Sequence, residues 1–303
     1  MRSKPLSYFA AGVVFVLLSG RARAVTWGAD YFPNVLLTTQ QGNTVRFYDD
    51  LLKGKRVVIN FIYTRCGDSC PLETARLGQV AKILGDRMGR EIFFYSISVD
   101  PVRDTPAELK AYADRYRAGP GWLFLTGQKP DVDLIRRKLG AAPRRGQNDV
   151  TDHTTSFIIG NEATQQWTRD SSVDNPQYIA AIIRDWFAYE NHQPVKSYAL
   201  APPLPASVSD KGAYLFQSRC APCHGIGQGD GVGPDLRGVT RARDRAWLAQ
   251  FIAEPNRALE DHDPIATALF DRYQQVRMPN LRLNRVDVEA LLGYLEKQDT
   301  ASH

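Results

Sequence analysis

The sequence predicts a two-domain protein, with an α/β domain followed by an all-α domain. Three observations support this prediction. The chain has 303 residues, more than one average domain. A proline-rich stretch at residues 201–207 cannot extend a helix and suits a stiff linker. Strand and helix patterns alternate before this stretch, whereas only helical patterns follow it, which indicates two separate architectures.

The predicted boundaries follow from that linker. We expect a first domain over residues 25–195, a linker over 196–208 and a second domain over 209–303. Residues 1–24 form a predicted export signal.

The export signal has the usual three parts. Arg2 and Lys4 supply a positive start, residues 9–18 are apolar, and Ala22-Arg23-Ala24 has the small residues of a cleavage site. The apolar run is shorter than the ~20 residues that span a bilayer. An uncleaved membrane anchor remains the alternative. We therefore expect a periplasmic protein, either released or anchored by its N-terminus.

Charge gives no indication of a nucleic-acid partner. The signal contains four of the 38 basic residues and none of the 33 acidic ones, so 34 basic and 33 acidic residues remain after cleavage. The basic pI therefore belongs largely to the signal, and we expect no nucleic-acid partner.

The first domain is predicted from buried strands that alternate with helices. Thr105 and Pro106 are typical of a helix start, with threonine as cap and proline in the first turn. Strands are expected at residues 56–63, 91–99 and 122–125, with a hairpin at 154–159 and 164–168. Helices are expected after Cys66 to about residue 84, from 106, from about 131, and over 176–189.

The second domain is predicted to be helical. Ser209 or Asp210 can cap a helix that runs into Cys220, and a glycine-rich loop spans residues 225–238. Two further helices are expected from apolar faces with helical spacing. These faces are Trp247, Leu248, Phe251 and Ile252, and then Val288, Leu291, Leu292 and Leu295.

The four cysteines form two close pairs, Cys66 with Cys70 and Cys220 with Cys223. So few cysteines in an exported protein do not form a disulfide scaffold. Close pairs indicate cofactor binding or redox chemistry.

The second pair has the spacing of a haem c attachment site. In Cys220-Ala221-Pro222-Cys223-His224, two thiols can form thioethers while the adjacent histidine reaches the iron. Met278, late in the domain, is the expected second axial ligand. The sequence therefore predicts one covalent haem c with His224 and Met278 on the iron.

Residues 209–298 resemble class I cytochrome c. In that family, the loop matched by residues 233–236 places a proline carbonyl against the ligating histidine, which assigns this role to Pro234. The family's terminal helices are matched at Gly212, Phe216, Leu291 and Tyr294.

The first pair follows a buried strand and enters a helix. Cys66 and Cys70 are four residues apart, so their sulfurs can share one side of a helical turn. A helix N-terminus favours thiolate. Soft thiolates prefer copper(I), and an added imidazole would also hold copper(II). His153, just before a predicted strand, is the candidate for that imidazole.

Residues 28–190 resemble the Sco/SenC family of copper-binding, thioredoxin-like proteins. The resemblance rests on residues 66–71, on 99–101 with 104–106, and on 152–154. It implies a thioredoxin-like fold for the first domain. Asp100 and Asp104 could orient the site or form turns, and the sequence leaves both readings open.

The same resemblance implies one copper ion, copper(I) or copper(II), on Cys66, Cys70 and His153. The usual role of the Sco/SenC family is to deliver or reduce copper, or to keep acceptor thiols reduced, at the CuA centre of cytochrome c oxidase. Gly67 departs from the proline that family members commonly have. Many members also keep a membrane anchor.

We therefore expect an exported copper metallochaperone and electron-transfer protein rather than a turnover enzyme. Expected partners are the CuA subunit of cytochrome c oxidase, or another copper or thiol acceptor, and a redox protein.

Three alternatives stay open. A haem-linked thiol–disulfide oxidoreductase would use Cys66 and Cys70 as a redox dithiol, although such proteins usually pair C-x-x-C with a cis-proline, and no proline lies between Pro143 and Pro176. The chain could instead be a copper or redox sensor. A plain electron shuttle would leave the first domain without a role, which the intact Cys66, Cys70 and His153 argue against.

Overall fold

A seven-stranded mixed sheet forms the centre of the first domain. The computed structural model describes residues 27–142, 156–185 and 210–300. The strands are β1 (Leu36–Thr39), β2 (Thr44–Arg46), β3 (Arg56–Ile62), β4 (Ile92–Ser98), β5 (Trp122–Gly127), β6 (Ser156–Asn161) and β7 (Gln166–Ser171). They lie in the order β2-β1-β5-β4-β3-β6-β7.

The middle of the sheet is parallel and its flanks are antiparallel. Strand β4 pairs in parallel with both β3 and β5, whereas β1 and β6 pair antiparallel with β5 and β3. Parallel strands are covered on both faces, which explains the nearly continuous apolar runs of β3 and β4. Strands β6 and β7 form the predicted hairpin.

Helices cover both faces of this sheet. They are α1 (Cys70–Leu84), α2 (Pro106–Arg115), α3 (Lys129–Lys138) and α4 (Pro176–Asp185). Buried side chains of α1, α2 and α4 share one apolar cluster with Val58 and Phe94. Those of α3 share a second cluster with Val57 and Tyr95, so α3 lies on the opposite face. A π-helical turn, Phe47–Leu52, also packs in that second cluster.

The helix starts follow the local chemistry. Helices α1, α2 and α3 each have proline in the first turn, where no backbone donor is lost. Thr105 caps α2, since its Oγ1 accepts the Glu108 N–H at 3.3 Å.

Helices are the only regular secondary structure in the described residues of the second domain. Its helices are α5 (Lys211–Leu215), α6 (Val239–Ala242), α7 (Arg245–Ala253), α8 (Pro255–Glu260), α9 (Pro264–Arg272) and α10 (Arg285–Thr300), and a π-helical turn, Phe216–Cys220, continues α5. Asp210 caps α5 by accepting the N–H groups of Gly212 and Ala213.

Helices α5 and α10 cross with almost no space between them. A Cβ added to Gly212 would lie 2.1 Å from the carbonyl oxygen of Ala290 in α10, so only glycine allows this approach. The Phe216 and Tyr294 rings pack beside the crossing, with centroids 5.4 Å apart.

The structure confirms an α/β domain followed by an all-α domain. The sequence analysis did not predict the β1–β2 hairpin or helices α6, α8 and α9. The predicted signal, the linker and His153 lie outside the described residues. Within the described ranges, no helix is long and apolar enough to cross a membrane.

Candidate functional site

Cys66 and Cys70 lie in and after the loop that joins β3 to α1. Cys66 is in the loop and Cys70 is the first residue of α1. Their side chains are 3% and 0% exposed, and both are thiols rather than a disulfide. The two side chains are within hydrogen-bonding reach of each other. A disulfide or a two-thiolate metal site can therefore form with little rearrangement.

A buried carboxylate fixes the start of this loop. Asp104 accepts the Thr64 N–H at 3.1 Å and the Thr64 hydroxyl at 2.6 Å. It also accepts the Ser98 hydroxyl at 2.6 Å. Asp104 thus anchors the chain two residues before Cys66, whereas Asp100 pairs with Arg103 at 3.0 Å. Of the two aspartates considered from the sequence, Asp104 is the one in contact with this loop.

Burial decides the protonation of Cys70. Desolvation raises the pKa of Cys70 well above its ordinary value, and the hydrogen bond to Cys66 and the nearby Glu73 raise it further. The helix N-terminus was expected to favour thiolate, whereas at Cys70 burial acts in the opposite direction and the pKa is raised. The unliganded Cys70 is therefore a thiol at neutral pH, and metal binding must release its proton.

The described residues supply only two of the three predicted copper ligands. Across residues 27–142, 156–185 and 210–300, no group of three histidine, cysteine or acidic side chains has the arrangement of a metal site. His153 lies outside these ranges, and its place beside the dithiol stays a prediction.

An apolar cavity in the second domain brings His224 and Met278 together. The cavity is partly open, and its empty volume, with open solvent at the mouth included, is about 600 Å³. Cys223 also lines it, and the other walls are mainly apolar side chains, including Val232, Phe251, Leu259, Leu269, Phe270 and Val276.

The His224 ring is oriented by Pro234, the residue matched to this role in the sequence. His224 Nδ1 lies 2.9 Å from the Pro234 carbonyl oxygen. A carbonyl only accepts hydrogen bonds, so Nδ1 carries the proton and Nε2 keeps a lone pair. Burial lowers the pKa of His224, which favours this neutral form. A Cβ at Gly233 would lie 2.6 Å from the ring, so glycine is needed beside it.

These residues fit a haem c. The cavity offers apolar walls, a neutral imidazole with an available Nε2, and a thioether sulfur in Met278. Desolvation raises the pKa of the unmodified Cys220 and Cys223 thiols to about 12.

The two sites meet at the contact between the domains. Cys223, Val232 and Val276 of the haem cavity region pack against the apolar cluster that contains Cys66 and Cys70. Cys223 therefore borders the same apolar cluster as Cys66 and Cys70, whereas Cys220 packs in a cluster of the second domain.

Polar contacts surround this apolar region. The Gly67 carbonyl accepts the Asn256 side-chain amide at 3.2 Å and the Asn280 N–H at 3.1 Å. On α1, Arg76 Nη2 donates to the Ser218 carbonyl at 2.7 Å, and Gln79 Nε2 donates to the Ala221 carbonyl at 3.1 Å. Sequence reasoning missed these contacts because no local pattern predicts partners more than 140 residues apart.

The family of the chain follows from comparison with known proteins. The family model described as SCO1/SenC matches residues 28–188, more than half of the chain. The chain belongs to the SCO1/SenC family. The model described as Cytochrome c matches residues 209–299. The match of two families confirms the fusion of a Sco domain to a cytochrome c domain.

Relatives align with the Sco domain. A Stutzerimonas stutzeri protein that is named for copper binding is 32% identical over 154 residues, covering 49% of this chain and 70% of the relative. The SCO2-like protein of Rickettsia felis is 31% identical over 145 residues, covering 46% and 69%. The structure of Bradyrhizobium japonicum ScoI with copper bound is 27% identical and covers 49% of this chain and 94% of that chain, with a TM-score of 0.41.

Proposed function

We propose that this chain is an exported copper metallochaperone that helps to assemble the CuA centre of cytochrome c oxidase and carries a haem c for single-electron transfer. The observation that carries the proposal is the apolar contact between the domains, in which the cluster that contains the buried Cys66 and Cys70 packs against Cys223, Val232 and Val276 of the haem cavity. Membership of the SCO1/SenC family supports the copper part. The Cytochrome c match supports the haem part.

Copper is the cargo of the proposed site. Cys66 and Cys70 would hold one copper(I) ion as thiolates, and His153 would complete the site so that it also holds copper(II). Because both thiols are buried, bound copper(I) would be shielded from water and oxidants. The acceptor would be the CuA subunit or another copper or thiol acceptor in the periplasm.

The haem site would be built by five residues. Cys220 and Cys223 would form the thioether links, and His224 and Met278 would be the axial ligands. Pro234 holds the imidazole in the tautomer that leaves Nε2 available. The bound haem would supply single-electron transfer at a potential raised by methionine ligation.

Copper reduction would couple the two sites. Copper(II) on the first domain would gain one electron and become copper(I), while the iron would change from ferrous to ferric. Cys66 and Cys70 would stay thiolates throughout and retain the metal. The direct contact between the domains supports this coupling, since a partner that is already docked needs no encounter step.

Copper titration of the mature chain with attached haem tests the first part. The reduced protein is titrated anaerobically with copper(I) against a competing chelator, beside a His153→Ala variant, and copper(II) spectra follow. We expect one tightly bound copper per chain, with copper(II) binding lost in the variant. Absence of competitive binding, or binding indifferent to His153 in both oxidation states, would overturn the copper site.

Stopped-flow spectroscopy tests the coupling. In copper(II)-loaded protein with a reduced haem, the bound copper(II) is expected to oxidise the haem. The rate should be independent of protein concentration, because the reaction is intramolecular. Haem that stays reduced would show that the two sites work separately.

A haem-linked thiol–disulfide oxidoreductase is the second candidate. The hydrogen-bonding reach between Cys66 and Cys70 favours it. In its oxidised form such a protein would contain a Cys66–Cys70 disulfide. Reducing this disulfide to two thiols takes two electrons and two protons, so the haem would have to deliver two electrons in succession. Rapid reduction of the disulfide by ferrous haem, without copper affinity, would support this candidate over the first.

A further inference from the structure

The Gly67 carbonyl lies at the centre of the contact between the copper loop and the haem domain. We call residues 66–70 the dithiol loop. Gly67 accepts two hydrogen bonds from the second domain, one from the Asn256 side chain at 3.2 Å and one from the Asn280 backbone at 3.1 Å. A single carbonyl of the first domain is therefore bonded to two separate segments of the second.

Both donors are next in sequence to residues that line the haem cavity. Asn256 directly follows Pro255, and Asn280 follows Met278 and Pro279, and all three of these neighbours line the cavity. The Asn280 N–H is one of the nearest backbone donors after the proposed methionine ligand. A displacement of the Gly67 carbonyl therefore acts on the short segment that carries Met278.

Space at Gly67 is tight on the side of Asn256. A Cβ at this position would lie 3.1 Å from both Nδ2 and Oδ1 of Asn256, which is tighter than ordinary packing contacts. Any side chain at residue 67 would have to move Asn256. Glycine at this position, where family members commonly have proline, thus lets the haem domain approach the loop closely.

The Asn256 side chain donates a hydrogen bond to Gly67 but accepts none from the described residues. Its Oδ1 atom is buried and has no hydrogen-bond partner in the described part of the chain, so the amide donates to Gly67 without a balancing bond to its oxygen. A buried acceptor left in this way is unfavourable. Among the described residues, the hydrogen bond to Gly67 is the contact that an amide makes at this position and an alanine could not.

We propose that the dithiol loop is the docking site of the chain's own haem domain, and that Gly67 and Asn256 are positioning residues that hold the Met278 segment in place. A change in the dithiol loop then loosens the methionine on the iron. The inference rests on the proposed ligation of a haem by His224 and Met278 and adds a mechanical link between the two sites.

Cyanide binding to the ferric haem measures this link. Cyanide reaches the iron only when the methionine has left it, so the binding rate reports how often that happens. The test uses the full mature chain with attached haem and reduced, copper-free thiols. The variants are Gly67→Ala and Asn256→Ala, with Gly119→Ala as control, because a Cβ at Gly119 meets nothing within 4 Å.

We expect both variants to bind cyanide roughly fivefold faster than the wild type, the order of effect of one lost hydrogen bond. The Gly119→Ala control should match the wild type. The double variant should be no faster than Asn256→Ala alone, because the added methyl group then has no amide to displace. This non-additivity separates a direct contact from general loss of stability.

Three results would count against the inference. Equal cyanide rates in wild type and both variants would overturn it, and so would an increase in the double variant equal to the product of the single increases. The ferric methionine-to-iron charge-transfer band of the wild type is the reference. Its absence would refute the proposed methionine ligation itself, whereas its presence with unchanged rates refutes only the role of Gly67 and Asn256.

Discussion

The two cysteine pairs differ in burial and in what surrounds them, since Cys66 and Cys70 are buried whereas Cys220 and Cys223 are partly exposed. Cys66 and Cys70 lie under a loop at the start of α1, within hydrogen-bonding reach of each other. Cys220 ends a π-helical turn, and Cys223 lies next to His224 at the wall of a mainly apolar cavity. Desolvation raises the thiol pKa at Cys70 as it does in the second pair.

The pKa values of the thiols are raised in both pairs and so do not distinguish the two sites. The cavity beside the second pair does distinguish them. A bare metal ion needs donors that converge, which the first pair offers. A macrocycle needs a large apolar cavity and an axial donor at its wall, which the second pair has in His224. The predictions below test that distinction.

Covalent haem should depend wholly on the second pair. Replacing Cys220 and Cys223 by serine should abolish haem that survives denaturing electrophoresis, because no thioether can form. The matching double variant, in which Cys66 and Cys70 are both replaced by serine, should keep its haem. Haem staining of both gels is the measurement, and haem loss in the second variant would show that the sites are not independent.

Copper binding should show the reverse dependence. Cys70→Ser should weaken copper(I) affinity by at least about 100-fold, more than the loss of an outer-shell partner of a metal site. Ser69→Ala is the matched control, since the Ser69 side chain makes no capping hydrogen bond to α1. Competition against a copper(I) chelator measures both, and equal affinities would remove Cys70 from the site.

The haem domain should depend on the close helix crossing. Gly212→Ala should lower the free energy of unfolding of this domain by about 2 kcal/mol, because its Cβ would press on the Ala290 carbonyl. Gly293→Ala, in open space on α10, should instead stabilise the domain by about 0.5 kcal/mol. Denaturant unfolding followed by haem absorbance compares them, and equal effects would contradict the crossing.

Reactivity of the dithiol should rise steeply with pH. The thiolate is the nucleophile, and the raised pKa of Cys70 keeps the thiolate fraction small at neutral pH. Alkylation of Cys70 in the reduced, copper-free protein should therefore increase about tenfold per pH unit from pH 7 upward. Peptide mass mapping follows this residue alone. A plateau near pH 9 would indicate an ordinary, solvated thiol.

Much of the architecture was predictable because local chemistry determined it. The apolar runs of β3 and β4 predicted buried strands, and the pairing of Thr105 with Pro106 predicted the start of α2. The β1–β2 hairpin was missed because its strands have four and three residues, too few for a clear alternation.

For the candidate sites, the sequence could predict which side chains take part but not the surroundings that set their properties. Spacing alone indicated Cys66 with Cys70 and the attachment pattern at Cys220. The pKa of Cys70 could not be predicted, because desolvation depends on which distant side chains cover it. The contact of Asn256 with Gly67 also lacked a signal, since it joins residues 189 positions apart.

Helix α1 limits how freely this chain could exchange its parts. Arg76, only 2% exposed, donates to the carbonyls of Ser172 in its own domain and Ser218 in the haem domain. A chimera that joined this Sco domain to another cytochrome would leave part of that guanidinium without an acceptor, at a cost of about 1–3 kcal/mol. The two domains are separate in sequence, but the Arg76 side chain depends on acceptors in both of them, so either domain can be exchanged only together with its contact surface.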